Sequence, residues 1–278
     1  MKNKTKISII TPSYNQGHFL EQTIKSVLEQ KYPNLEYIVM DGGSSDNSVD
    51  IIKKYSAQLS YWESEKDKGQ SDAIHRGFGH CTGDLIGWIN SDDIFLPNAF
   101  DNYAKAYMSN PGVEFISGGS VLINSKSRLM KSLFGFPCIY SDKGLMTYNR
   151  IAGKGFRFLQ PGSIWSRAAY YEVGGIDTNM VFCFDRDLFI RLSKRKPGIG
   201  IGKLVAGYRI HGDSKTSKLQ GIRKKEDKLL KIRYQPISSN IIKRYLIRIC
   251  VILNNKLSII KNNANYLLGK YPNISKEK

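Results

Sequence analysis

Short apolar runs rich in β-branched residues alternate with amphipathic stretches through the first hundred residues. Ile7 to Thr11 reads Ile-Ser-Ile-Ile-Thr, the pattern of a buried strand, and Pro12 stops it. After the Asn15-Gln16-Gly17 turn, Phe19, Leu20, Ile24, Val27 and Leu28 recur at helical spacing, which predicts a helix laid on a sheet. Tyr37 to Met40 predicts a second strand, running into Asp41-Gly42-Gly43-Ser44-Ser45-Asp46, and a helix is expected from Ser48 to Tyr55. A strand near Leu59 to Trp62, a helix from Ser71 to Phe78 and a strand from Asp84 to Ile89 come next. That last strand ends at Asn90-Ser91-Asp92-Asp93, and Pro97 sits where a first helical position is expected. Strands alternating with helices predict an α/β architecture, a mainly parallel sheet flanked by helices. Ligands of such sheets bind beyond the carboxyl ends of the strands, where Asp41 and Asp92-Asp93 fall.

The second half is less regular. Ser117-Gly118-Gly119 and Pro161-Gly162-Ser163 read as turns, 167–173 and 185–194 as helices, and 203–210 as a strand. The main folded unit is expected over residues 1–218, followed by a basic helical extension over 219–278. There are no repeats or low-complexity tracts.

Composition narrows the class. A chain of 278 residues with 41% hydrophobic and 24% charged residues has ordinary globular usage, which excludes wholesale disorder. No apolar run approaches the ~20 residues of a membrane span. The basic start at Met1 to Lys6 is followed only by Ile7 to Thr11, too short for a signal-peptide core. Cys81, Cys138, Cys183 and Cys250 are widely spaced with no CxxC pair, fitting neither a zinc site nor a disulfide framework. A reducing, cytoplasmic location is the expectation. Net charge is +18, but residues 221–278 carry 14 Lys/Arg against 3 Asp/Glu, so most of the excess sits at one end. That distribution favours a surface-binding appendage over a site that is basic throughout.

Four clusters could carry chemistry. The adjacent acids Asp92 and Asp93 at a strand end suit a helix N-cap. They equally suit a clamp for a divalent cation whose other ligands are phosphate oxygens. The stretch Ser64-Glu65-Lys66-Asp67-Lys68-Gly69-Gln70-Ser71-Asp72-Ala73 is either a solvated charged loop or a set of groups for a base, ribose or phosphate. Phe184-Asp185-Arg186-Asp187-Leu188 opens a predicted helix; its acids offset the helix dipole, or one of them acts as a general base between aromatics. Tyr208-Arg209-Ile210-His211 ends a strand, with Ser214 and Lys215 just beyond, and a lone His there is either structural or functional.

Taken in order, these stretches resemble the inverting family 2 glycosyltransferases, whose fold is the Rossmann-like GT-A type. The carriers of the resemblance are Thr11-Pro12-Ser13-Tyr14-Asn15, Asp41 to Asp46, Glu65 to Ala73, Trp88 to Asp93, Glu172-Val173-Gly174-Gly175-Ile176-Asp177, Phe184 to Leu188 and Tyr208 to His211. Together they span about residues 7–215. The resemblance implies that Thr11, Pro12, Tyr14, Asp41, Asp67, Gln70 and Asp92 bind the nucleotide sugar, with Asp92 facing the ribose. By the same similarity Asp93 and His211 lie at a Mn²⁺ or Mg²⁺ ion bridging the diphosphate, and Asp185 is the catalytic base. Two positions depart from the family pattern: Asn90 stands where many members carry Asp, and Asp41-Gly42-Gly43 where many have two consecutive acids.

The implied reaction moves a sugar from a nucleoside-diphosphate donor, most often UDP-linked, to a hydroxyl of a glycan or lipid-linked oligosaccharide in polysaccharide synthesis. A divalent ion neutralises the leaving diphosphate, and one carboxylate takes the acceptor's proton. Acceptor choice is expected in the irregular stretch 120–165. From Ile241 to Leu253, taken as a helix, Ile242, Tyr245, Leu246, Ile249, Ile252 and Leu253 share one face, with Lys243, Arg244 and Arg248 opposite. Such a helix packs on the domain or lies on an anionic membrane surface, which would place the protein on the inner face of the cytoplasmic membrane. The competing classes fit less well. A dinucleotide-binding fingerprint needs GxGxxG after the first strand, and the Thr11 to Gly17 turn holds a single Gly. The run Gly198 to Lys203 lacks P-loop spacing. A non-enzymatic nucleic-acid or membrane binder is the alternative that the basic charge suggests, but no RNA- or DNA-binding pattern is present, so nucleic acid is not an expected partner.

Overall fold

The computed structural model describes residues 5–130, 139–140, 143–147, 151, 160–212, 214–215 and 219–234. The predicted helix at 241–253 lies outside these residues, as do Cys138, Cys250 and much of the 120–165 stretch. Ten strands form one sheet: β1 (Ile7–Ser13), β2 (Leu35–Asp41), β3 (Tyr61–Ser64), β4 (Leu85–Trp88), β5 (Ile94–Phe95), β6 (Phe115–Asn124), β7 (Ile139–Tyr140), β8 (Lys143–Met146), β9 (Ser163–Ser166) and β10 (Gly198–Ile210). The helices are α1 (Gly17–Leu28), α2 (Ser48–Tyr55), α3 (Gln70–Gly79), α4 (Ala99–Ser109), α5 (Arg167–Glu172), α6 (Phe184–Arg195) and α7 (Gln220–Arg233).

Along the sheet the order is β3-β2-β1-β4-β9-β6-β10-β5. The block β3-β2-β1-β4 is parallel throughout, which places Ser13, Asp41 and Ser64 side by side at its carboxyl edge. Beyond β4 the sheet is mixed: β9 runs antiparallel between β4 and β6, while β6 and β10 pair parallel.

Alternation along the strands divides the core in two. Ile7, Ile9, Tyr37, Val39, Leu85 and Ile116 point to one face, under α1, α2 and α4. Ile10, Ile38, Met40, Ile86, Trp88 and Phe115 point to the other, where α3, α5 and α6 pack with Leu230 of α7. All seven residues of β1 are buried, as a central strand covered on both faces requires.

Two sequence expectations are corrected, at Ser117-Gly118-Gly119 and at Pro97. Ser117-Gly118-Gly119 is not a turn but the interior of β6. Gly118 is there because a Cβ would stand 2.3 Å from Val205 Cγ2 on β10; the glycine admits the neighbouring strand's valine rather than bending the chain. Pro161-Gly162 does form a tight turn, within the 3₁₀ segment Gln160–Gly162, and Ser163 then opens β9. Pro97 precedes α4 by two residues, with Asn98 in a left-handed conformation between them.

Candidate active site

At the carboxyl edge of the parallel block, two loops lock together. Asp41 is buried and accepts hydrogen bonds from Gly43 N (3.2 Å), Ser44 N (2.8 Å), Ser44 Oγ (2.6 Å) and Ser64 Oγ (2.7 Å). Asn15 then ties the first loop to the second, donating its N–H to Ser44 Oγ and accepting Ser45 N–H, both at 2.8 Å. Thr11 is fully buried with its hydroxyl on Tyr37 (2.9 Å), and Pro12 is buried beside it, whereas Tyr14 stands out with 61% of its surface exposed. Asp67 crosses over Gly42: a Cβ on Gly42 would meet Asp67 Oδ2 at 2.7 Å. This chain therefore keeps an acid beside position 42, supplied from the β3–α3 loop.

The second half of the site is built on β4, β5 and β10. The two residues of β5 pair antiparallel with Ala206 and Gly207, which brings Asp92-Asp93 alongside Arg209 and His211. Asp93 is fully buried, its Oδ1 taking Arg209 N–H (2.8 Å) and its Oδ2 the Asn90 amide (3.2 Å). Burial, with the Asp92 charge beside it, pushes the Asp93 carboxyl well above the usual range, against the pull of those two donors. Arg209, 1% exposed, donates to the Asp92 carbonyl, Asn124 O (3.1 Å), Ser127 Oγ (2.8 Å) and Gln22 Oε1 (2.7 Å), and lies 4.8 Å over the Phe19 ring. A buried cation with this many acceptors fixes the geometry of the strand end.

Asp92, by contrast, is only partly buried, and its Oδ2 lies 3.0 Å from His211 Nε2, a contact open towards the site. The contact is a hydrogen-bonded pair, and it presents one carboxylate oxygen and one imidazole nitrogen, donor types that divalent cations take. Among the described residues no group of three or more His, Cys, Asp or Glu is gathered for a metal.

A hydrogen-bonded chain runs from Asp93 through Asn90 and Gln70 to Lys215, whose charge acts on Asp185. Asn90 Oδ1 takes the Gln70 amide (2.7 Å), and Gln70 Oε1 takes the Lys215 ammonium (2.8 Å). Burial pulls the Lys215 ammonium down to about 8, opposed by the Asp185 charge. Asp185 sits in the first turn of α6 and holds Arg186 N–H (2.6 Å); burial raises its carboxyl above the ordinary value, with that N–H and Lys215 pulling the other way. The structure thus brings Gln70, Asn90, Asp92, Asp93, Lys215, Asp185 and His211 into one network, while Thr11 and Asp41 serve the neighbouring loops. Sequence reasoning gave no role to Arg209 or Lys215; both stand in or next to the Tyr208 to His211 stretch, but their partners come from distant segments.

Comparison with known proteins gives the family and the fold type. The sequence model of the family described as glycosyl transferase family 2 matches residues 8–174. An uncharacterised glycosyltransferase of Mycobacterium tuberculosis is 30% identical over 192 residues, covering 69% of this chain and 70% of its own length. The Escherichia coli UDP-Glc:alpha-D-GlcNAc-diphosphoundecaprenol beta-1,3-glucosyltransferase WfgD is 33% identical over 122 residues, 44% of this chain and 48% of WfgD. In fold the chain is similar to S. aureus TarS in complex with UDP-GlcNAc, with a TM-score of 0.61, 16% identity, and 94% and 75% of the two chains covered. It is also similar to the mannosyltransferase PcManGT of Pyrobaculum calidifontis in complex with GDP-Man and Mn²⁺, with a TM-score of 0.59, 16% identity, and 97% and 76% covered. The mixed α/β sheet flanked by helices that these neighbours share with the chain is the GT-A type of fold. The chain belongs to glycosyltransferase family 2.

Proposed function

We propose that the protein transfers a sugar from a UDP-sugar to a hydroxyl of a glycan or lipid-linked oligosaccharide, with inversion at the anomeric carbon. The observation that carries the reading is the chain Asp93–Asn90–Gln70–Lys215, with the Asp92–His211 pair next to its start and Asp185 within the charge of its end, which supports an acceptor-side carboxylate set against a diphosphate-side cluster. The donors named in similar proteins, UDP-Glc for WfgD, UDP-GlcNAc for TarS and GDP-Man for PcManGT, support the donor class.

Asp92 and His211 would hold Mn²⁺ or Mg²⁺, which supplies Lewis-acid charge to the departing diphosphate. Asp92 is placed there ahead of Asp93 because both Asp93 oxygens already face protein donors in a buried site. Lys215 adds a cation on the diphosphate side. Asp185, ionised, accepts the acceptor hydroxyl's proton as that oxygen bonds to the anomeric carbon and the carbon–phosphate-oxygen bond breaks. A single displacement with one base inverts the centre and needs no covalent intermediate. Asp67 and the Tyr14 ring flank the loops expected to take the base and ribose, with Asp41 holding those loops in shape.

The test is thermal unfolding with UDP, GDP, CMP, dTDP and NAD, each with and without Mn²⁺. A native-state ligand at a hundredfold excess over its Kd contributes roughly 2.7 kcal/mol. UDP should stabilise only with Mn²⁺, an effect removed by chelator. Stabilisation by NAD, or by no nucleoside diphosphate, overturns the reading.

An anionic membrane surface as a partner is supported by α7. Its acids, Glu226 and Asp227, both turn inward onto the segment around α6. The outward side is left with Ile222, Leu229 and Ile232 beside Lys224, Lys225, Lys228 and Lys231, all exposed. Apolar and cationic groups in that arrangement suit a lipid interface. Among the described residues, no helix is long and apolar enough to cross a membrane.

A further inference from the structure

The inner side of α7 grips the residues on both sides of Asp185. The single carboxylate of Glu226 accepts three consecutive backbone N–H groups, from Val181 (2.8 Å), Phe182 (2.9 Å) and Cys183 (2.7 Å). Cys183 is the residue that caps α6, so Glu226 fixes the chain as it enters the helix that carries Asp185. Just past Asp185, Asp227 pairs with Arg186 at 2.7 Å. One residue further, the fully buried Asp187 receives Tyr234 OH (2.7 Å) and Arg233 (3.0 Å) from the end of α7, together with Arg191 (2.8 Å) from its own helix. Leu230 completes the contact from within the core.

Among the described residues, no comparable set of donors falls on Asp185 itself. Its described hydrogen bond is to Arg186 N–H within its own turn, and Lys215 acts on it through charge. Its position is therefore dictated by the backbone of 181–187. That backbone is held by an element outside the family match, which ends at residue 174.

We infer that α7 is a positioning element for catalysis, with Glu226 as its principal residue setting the place of Asp185. The inference rests on Asp185 being the base. A carboxylate facing three N–H donors cannot be replaced by an amide without turning an NH₂ towards one of them. A displacement of the base by about 1 Å is enough to cost on the order of 100-fold in rate. Donor binding, built on β1, β2, β4 and β10, should be indifferent to it.

The experiment uses the full chain and its Glu226→Gln, Tyr234→Phe and Asp185→Asn variants. Release of nucleotide from UDP-glucose, UDP-N-acetylglucosamine and GDP-mannose is followed with Mn²⁺ and water as acceptor. UDP binding and amide hydrogen exchange over 181–187 are measured in parallel. For Glu226→Gln the expected result is a kcat lowered at least tenfold, a donor KM and UDP Kd within about threefold, and faster exchange at Val181 to Cys183. Tyr234→Phe, a milder change that removes one of three donors to Asp187, should lower kcat by several-fold with the same split. Wild-type kcat in both, or a fall in kcat matched by a comparable rise in the UDP Kd, overturns the inference. Exchange at 181–183 unchanged in Glu226→Gln also overturns it. Asp185→Asn separates the two claims: if it keeps its activity, the base assignment fails; if it is inactive while Glu226→Gln and Tyr234→Phe turn over normally, only the positioning role fails.

Discussion

Replacing Lys215 by Met should make the protein more stable and a worse enzyme. In the folded chain burial lowers the Lys215 ammonium from 10.5 to about 8. A difference of that size corresponds to roughly 3 kcal/mol of cost for keeping the charge at neutral pH. Met matches the length and removes the cost, but forfeits the hydrogen bond to Gln70, worth about 1 kcal/mol. The net gain is about 2 kcal/mol, or roughly 4–8 °C in Tm for a chain of this size. The sign of the pH dependence follows from linkage. A base with a depressed folded pKa carries its full penalty below that value and sheds it as pH rises towards the unfolded value. The advantage of the variant should therefore be complete at pH 7 and close to nil at about pH 9.5. Donor binding should move the other way, since a charge-assisted contact to the diphosphate is lost, with Kd for UDP in Mn²⁺ rising by about 10- to 100-fold. Calorimetric unfolding at the two pH values and a UDP titration cover both halves. A variant less stable than wild type at pH 7, or equally stabilised at both pH values, would refute the view of Lys215 as a cation held dehydrated for the donor.

Four further outcomes separate roles within the site and the fold. Asp92→Asn should leave Tm within about 1 °C and abolish the Mn²⁺ dependence of UDP binding, whereas Asp93→Ala should lower stability by about 2–4 kcal/mol in denaturant unfolding, because it strands the buried Arg209 N–H and the Asn90 amide. Gly118→Ala should cost about 1–3 kcal/mol by overpacking against Val205, with kcat per folded molecule unchanged. Replacing Lys224, Lys225, Lys228 and Lys231 together by Gln should release the protein from vesicles rich in anionic lipid in a flotation assay, with retention of binding contradicting the membrane-facing reading of α7.

What could be read from the chain before its structure follows a physical line. Ile7 to Thr11, Tyr37 to Met40 and the stripe Leu20, Ile24, Val27 announce their elements because each buries a face by local periodicity alone. The helix at Ser48–Tyr55 matches its expected bounds for the same reason. The interior of β6 was hidden because two adjacent glycines carry a turn signal, whereas the reason for Gly118, room for Val205, comes from a strand more than eighty residues away. The site divides similarly. Acids at strand ends are visible as motifs, but Arg209 draws its partners from Gln22, Asn124 and Ser127, and Lys215 from Gln70. Glu226 looks like one more charge in a basic helix until the fold turns it onto the backbone of 181–183.

The central claim is that one carboxylate drives transfer without holding the donor. Its most direct test is Asp185→Asn, measured for sugar transfer and for Mn²⁺-dependent UDP binding in the same preparation. The account predicts transfer reduced at least 10²-fold, as for loss of a general base, and a Kd for UDP within about threefold of wild type. It also predicts a higher Tm at pH 7, because burial penalises the ionised Asp185 and the amide does not ionise. Transfer and UDP binding lost in parallel, or transfer retained, would contradict it.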